Sequence, residues 1–325
     1  MNMKKRHYAL SLLLLCGITL LFTGCGSKKS ENNEAHEKIK VVTTFYPMYD
    51  FTKNITGNEA DVTLLTPAGT EPHDYEPSVK DLTKVYDADV FVYNNHEMET
   101  WVDKALESVD DQKTEVVEAS KSISLMKGHK HDHDSEDHHN HQHEHEHDSK
   151  ESEIDPHVWL DPVLAQKEVI AIRDALIKKF PKKKAIFTKN ASNYLKKLKE
   201  LDKEYKTAFS QAKNKTFVTQ HAAFGYLAKQ YGLTQESIAG ISPDQEPSSN
   251  RLAELKHYIN EKHISVIYFE TSASSKVAKA LANETHVSTA VLNPIESLTT
   301  KEQKTGKNYI TIMQDNLNAL QKSIK

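Results

Sequence analysis

Cysteine is almost absent from this sequence: Cys16 and Cys25 are the only two in 325 residues. Both sit near the N-terminus, and Cys16 falls in a segment that reads as removable. The rest of the chain therefore has no disulfide and depends on a hydrophobic core alone. A surplus of charge of one sign is also missing. The 42 Lys and Arg residues against 46 Asp and Glu leave a net charge of −4, which argues against a nucleic-acid surface. The lysine cluster at 178–184 reads as a solvated face rather than a binding patch. The apolar run at 10–22 falls short of the roughly 20 residues that a membrane-spanning helix needs.

What is present at the N-terminus has three parts. Lys4, Lys5 and Arg6 form a basic head, the run 10–22 an apolar middle, and Thr23-Gly24-Cys25 a small-residue end. That is the layout of a secretory signal peptide over 1–24. Small residues before Cys25, with Gly26-Ser27 after it, resemble a bacterial lipobox. Cys25 is then the lipidated residue, although Phe22 stands where Leu is commonest. The polar stretch 25–38 lacks an apolar pattern and reads as a tether. About 300 residues remain, enough for two domains on a length prior.

Short β-branched runs alternate with amphipathic stretches, the pattern of βα units and parallel sheets. Strands are expected at 40–45, 61–66, 89–93 and 114–117, with helices at 48–56, 78–87 and 98–109. A second set of strands is expected at 216–220, 235–239, 265–270 and 288–292, with helices at 222–231, 251–261, 275–282 and 309–323. The fold class is thus α/β, in two lobes (39–181 and 214–325), each with a roughly four-stranded parallel sheet flanked by helices. Between them, Phe187, Ala191, Tyr194, Leu198, Leu201, Tyr205 and Ala208 recur at alternating steps of four and three. They make one apolar stripe on a long helix, placed at 182–213, that joins the lobes. Pro181 suits its start, where a missing N–H costs little.

One segment breaks the pattern. Nine histidines, His129, His131, His133, His138, His139, His141, His143, His145 and His147, alternate mostly with Asp and Glu. No apolar residue occurs there, so the stretch cannot bury a core, and a disordered loop is expected over 128–150.

In parallel α/β sheets ligands bind beyond the C-terminal ends of the strands. Four residues fall at such places: His73 in Glu71-Pro72-His73-Asp74-Tyr75-Glu76-Pro77-Ser78, His157 in Asp155-Pro156-His157-Val158-Trp159-Leu160-Asp161-Pro162, His221 in Thr219-Gln220-His221-Ala222, and Glu296 in Leu292-Asn293-Pro294-Ile295-Glu296-Ser297. Two come from each lobe, so all four can converge in a cleft. Singly, each fits a structural role as well; prolines beside three of them stiffen turns as readily as they preset a site. Glu270, ending a strand, and Asp161 are weighed as supporting residues and set aside. Trp101 and Trp159 read as packing residues, and His96, His257, His263 and His286 as surface or structural ones.

The motifs HDYEPS, DPHVWLDP, TQHAAFGYLA and LNPIESLT resemble the zinc-binding branch of the metal-receptor lipoproteins of ABC transporters, the group of the AdcA-type and ZnuA-type proteins. The resemblance implies His73, His157, His221 and Glu296 as ligands of Zn²⁺ and two α/β lobes on a rigid helix. It also implies a monomeric receptor, lipid-anchored on the extracellular face of the bacterial membrane, that delivers zinc to a permease. Three imidazoles and a carboxylate suit tetrahedral zinc, whereas manganese prefers oxygen-rich sites; manganese-binding relatives carry a carboxylate where His221 stands. The His-rich loop is expected to bind zinc weakly, as an auxiliary supply, and its deletion to leave the tight site nearly intact. A zinc hydrolase is the rival class, but outside the His-rich loop, where His143-Glu144-His145-Glu146-His147 fits the spacing without an expected helix to carry it, the sequence has no His-Glu-x-x-His pair, and it shows no activated nucleophile. A surface adhesin or a zinc store is the other alternative.

Overall fold

The computed structural model of the protein describes residues 38–128 and 154–325. The expected signal peptide, Cys25 and the nine histidines of 129–147 lie outside the described residues.

The first lobe is built on β1 (Ile39–Thr43), β2 (Ala60–Leu64), β3 (Val90–Tyr93) and β4 (Glu115–Glu118), all parallel, in the order β2-β1-β3-β4. Helices α1 (Tyr46–Thr56), α2 (Val79–Asp87) and α3 (Val102–Leu106) connect them. The second lobe repeats the scheme with β7 (Thr216–Thr219), β8 (Thr234–Ser237), β9 (Val266–Phe269) and β10 (Ser288–Val291), again all parallel, in the order β8-β7-β9-β10. Its helices are α6 (Gly225–Tyr231), α7 (Ser249–Glu261) and α8 (Lys276–Thr285). The correspondence reaches the loops. Glu76-Pro77-Ser78 precedes α2 and Glu246-Pro247-Ser248 precedes α7, and in each case the serine side chain caps the helix by accepting a backbone N–H, from Asp81 and Arg251 respectively.

Between the lobes run α4 (Pro162–Lys179) and α5 (Lys184–Phe209). The sequence reading placed the linking helix at 182–213. The α-helix itself is the 26 residues of α5, about 39 Å at 1.5 Å per residue. At its start Pro181–Lys183 form a tighter 3-10 turn. Its buried stripe closes on Phe209 rather than on the half-buried Ala208.

The sequence reading missed α4 altogether. Its apolar residues, among them Leu164, Val169, Ile170, Ile172 and Ile177, are spread round the helix instead of forming one stripe. Asp161 caps it, accepting the backbone N–H of Val163, and Pro162 opens it. The expected helix at 98–109 is only the single turn of α3, preceded by turns. Also unforeseen are the two-stranded antiparallel ribbon of β5 (Met126–Lys127) and β6 (Ile154–Asp155) and the short α9 (Thr300–Lys304); α10 (Tyr309–Leu320) closes the chain.

One hydrophobic core runs through both lobes. It takes in Val41, Phe51, Val90 and Leu160, the α5 stripe, and Phe217, Tyr268, Ile312 and Met313. A wide hinge between the lobes would split that core and expose it.

Candidate metal centre

The first ligand candidate, His73, sits in the loop after β2. Its backbone N–H is accepted by Glu71 Oε1 at 3.2 Å. The same loop is tied to the second lobe, since the Gly69 N–H donates to Ser297 Oγ at 2.7 Å. His157 follows β6 at the start of a 3-10 turn, Val158–Leu160. Asp155 Oδ1 lies 3.0 Å from its backbone nitrogen and 2.8 Å from its ring Nδ1. The preceding Pro156 carbonyl accepts from Asn94 Nδ2 at 2.9 Å. Beneath that contact, buried Glu99 takes the backbone N–H groups of Asn94 and Asn95 and the Thr44 hydroxyl.

His221 stands just beyond β7, with its carbonyl accepting from the Thr219 hydroxyl at 2.7 Å and from Gln235 Nε2 at 3.0 Å. Its Nδ1 is 2.5 Å from Glu270 Oε1. Glu296 follows Ile295, a buried β-branched residue with φ of +59°. That left-handed backbone is one that such side chains rarely adopt. Hydrogen bonds hold it: Ile295 N–H donates to Asn293 Oδ1 at 2.7 Å, while Asn293 exchanges hydrogen bonds with Asn316.

These four elements bring one atom each to a common point. His73 Nε2 and His157 Nε2 are 3.1 Å apart, and His157 Nε2 and His221 Nε2 are 3.4 Å apart. Glu296 Oε1 lies 3.2 Å from His157 Nε2, 3.2 Å from His221 Nε2 and 3.6 Å from His73 Nε2. The remaining pair, His73 and His221, falls within 4.8 Å. Donors held about 2.0–2.1 Å from a tetrahedral zinc ion stand about 3.3–3.4 Å from one another. Five of the six separations, from 3.1 to 3.6 Å, match the edges of that tetrahedron.

The chemistry of the donors agrees with their spacing. Asp155 and Glu270 take the Nδ1–H of His157 and His221, which leaves each Nε2 lone pair aimed inward. Both oxygens of buried Glu296 lack a hydrogen-bond donor outside this imidazole ring of neighbours. Lone pairs and a carboxylate facing one another in a buried space repel unless a cation or protons sit among them.

The ionisation of the cluster follows. Burial disfavours the charged form of His221, but Glu270 and Glu296 outweigh it and hold its pKa well above the usual imidazole range. Burial is likewise outweighed at His157 by Asp155 and Glu296, so its pKa is also raised. At His73 burial dominates and the pKa falls. Burial alone would raise Glu296, but His221 and the other two imidazoles hold it well below the carboxylate range. Glu71, beside this negative charge, is pushed up to about 9 by burial and then by Glu296.

All four site residues expected from the sequence meet here. Glu270, which the sequence reading set aside, belongs to the site because it orients His221; the other, Asp161, only caps α4. Asp155 went unnoticed, although its place two residues before a histidine, across a proline, is a legible signal for a side chain that folds back onto the ring. Trp159 packs, as expected, against Phe45 and His157, and its N–H also reaches the Pro294 carbonyl. His96 is a half-exposed residue paired with Asp103.

Two parallel-sheet lobes thus share a helical strut, with a buried cluster of metal-ligating side chains between them. The chain belongs to the family described as zinc-uptake complex component A, periplasmic (ZnuA), which matches residues 41–323. It is 49% identical over 314 residues to the zinc-binding lipoprotein AdcA of Streptococcus pneumoniae strain R6, a match covering 97% of this chain and 60% of that protein. The chain thus corresponds to a little under two thirds of the length of that relative. With the high-affinity zinc uptake system protein ZnuA of Bacillus subtilis it shares 49% identity over 322 residues, 99% of each chain. The crystal structure of the Zn(II)-bound ZnuA-like domain of Streptococcus pneumoniae AdcA superposes with a TM-score of 0.74 at 49% identity, covering 88% of this chain and 99% of that one.

Proposed function

We propose that this chain is the zinc-capturing receptor of an ABC-type uptake system, with His73, His157, His221 and Glu296 as the ligands of a single Zn²⁺. The observation that carries the reading is the set of five donor separations between 3.1 and 3.6 Å, the size of a tetrahedral zinc shell. Family membership and the named zinc-binding relatives support it. The cargo is bound and released without chemistry. Zn²⁺ displaces protons or water from the imidazoles, is held by two residues of each lobe, and draws the loops carrying them together. The permease reads the surface so formed. A ligand can bias such a surface only through its different affinity for the two states, and the shared core keeps the movement small.

The receptor is proposed to act as a monomer on the extracellular face of a bacterial membrane, anchored by a lipid on Cys25. No helix among the described residues is long and apolar enough to cross a membrane. The nine histidines at 129–147 are proposed as weak auxiliary zinc donors. Zinc titration of the native protein and of His221→Ala, each followed by competition with Mn²⁺, tests the reading. One tight zinc per native chain that resists Mn²⁺, and loss of that site in the variant, is the expected result. Unchanged tight binding in His221→Ala ends the ligand assignment.

A further inference from the structure

The foot of the histidine-rich insertion is closed by a side chain from the other lobe. Strands β5 and β6, the two stems of that insertion, pair with Met126 opposite Asp155. The hydroxyl of Tyr226, on α6 of the second lobe, serves both stems at once. It accepts the Met126 backbone N–H at 2.7 Å and donates to the Asp155 carbonyl at 2.7 Å. The ring below the hydroxyl is buried in an apolar seat made with Ile123, Val158 and Leu164 of the first lobe.

The neighbouring Gly225 completes the contact. A Cβ at this position would stand 2.8 Å from Asp155 Oδ2 and 3.4 Å from Met126 Cε. The absence of a side chain therefore lets the helix press directly on the Asp155 carboxylate. That carboxylate is the group that fixes His157, through both its backbone nitrogen at 3.0 Å and its Nδ1 at 2.8 Å. Asp155 is thus held at its carbonyl by Tyr226, blocked at Oδ2 by Gly225, and turned with Oδ1 onto the imidazole.

We infer that Tyr226 and Gly225 are positioning residues for the metal site: a single segment of the second lobe, 221–226, supplies His221 directly and sets the aim of His157 through Asp155. This rests on His157 being a zinc ligand, as proposed above. It also gives α6 a role that the four ligands alone do not reveal. The second lobe controls a donor that the first lobe carries, so relative displacement of the lobes loosens His157 even where its own lobe stays folded. Outer partners of metal-bound histidines are worth about 10–100-fold in affinity when removed, and Tyr226 acts one contact further out, so about tenfold is expected.

The test is zinc affinity and the visible spectrum of the Co²⁺-loaded full chain, measured well below the unfolding temperature. Tyr226→Phe keeps the buried ring and removes the hydroxyl; Gly225→Ala places a methyl against Asp155. Both should weaken zinc about tenfold and shift the Co²⁺ bands. Asp155→Ala should weaken zinc more, and Tyr226→Phe added to it should cause no further loss, because groups acting through one another are not additive. Native affinity and spectrum in both single variants, with only a lowered melting temperature, would overturn the inference. So would full additivity with Asp155→Ala. His157→Ala separates the two levels: native zinc binding there refutes the ligand assignment itself, whereas its loss alongside an unaffected Tyr226→Phe refutes only the positioning role.

Discussion

Trp159 donates its indole N–H to the carbonyl oxygen of Pro294 at 2.8 Å. The donor lies two residues after His157 and the acceptor two residues before Glu296, so one hydrogen bond links the first-lobe and second-lobe ligand segments directly. Tyr309, on α10, adds a brace by donating its hydroxyl to the Trp159 carbonyl at 2.5 Å. With the core running through both lobes, the spacing of the donors is set by contacts between the segments that carry them.

Removing that bridge while keeping an aromatic ring isolates its contribution. Trp159→Phe leaves the Pro294 carbonyl buried without a donor, which costs about 1–3 kcal/mol. The expected outcome is a melting temperature lower by several degrees in the zinc-free protein and a faster zinc release in a chelator chase. Release at the native rate would place the bridge outside the determinants of the site.

Glu270 is expected to matter through His221 rather than through zinc. Glu270→Gln keeps the shape but presents a neutral amide to Nδ1, so the imidazole loses the charged partner that fixes its tautomer and raises its basicity. Zinc affinity should fall about 10–100-fold with the four-coordinate shell retained. X-ray absorption at the zinc edge checks the shell and competition titration the affinity; an unchanged affinity would assign Glu270 a purely structural part.

Zinc binding should strengthen as pH rises through and above the ordinary imidazole range. His221 and His157 hold protons more tightly folded than unfolded. In the zinc-free protein they contribute stability that is fully present below about 6.5 and lost as pH rises through their raised pKa values. Zinc competes with those protons, so its affinity runs the opposite way, and binding releases protons. Glu296, depressed below the usual carboxylate range, stays ionised throughout. Calorimetry in buffers of different ionisation heat counts the released protons. A flat affinity between about pH 6 and 8 would contradict the ionisation pattern.

Ile295 stores backbone strain beside Glu296. Alanine and glycine at this position both delete the buried side chain, but only glycine accepts φ of +59° without penalty. Ile295→Gly should therefore be more stable than Ile295→Ala by about 1 kcal/mol, measured by denaturant unfolding of the metal-free proteins. Alanine as the more stable of the two would show the turn to be unstrained.

The four donors stood out because they follow expected strands in two matching α/β halves, three of them beside prolines, and the resemblance of their motifs is what singled them out as ligands. The linking helix was legible because one stripe, from Phe187 to Tyr205, faces the core and Lys and Glu fill the rest. Helix α4 was not, since it is sandwiched and carries apolar residues on more than one face, which erases the periodicity that marks a surface helix. Glu270 stood out only as a strand-end carboxylate, and Tyr226 not at all. Their roles depend on contacts with His221 and Asp155 across 49 and 71 residues of chain, which no local pattern specifies.

The position of the bound metal tests the four-ligand site most directly. Anomalous diffraction at the zinc edge from crystals of the zinc-loaded protein measures that directly. A single strong peak about 2.0–2.2 Å from His73 Nε2, His157 Nε2, His221 Nε2 and a Glu296 oxygen is the predicted result. A peak elsewhere, or one bound by only some of the four while the others turn away, would contradict it.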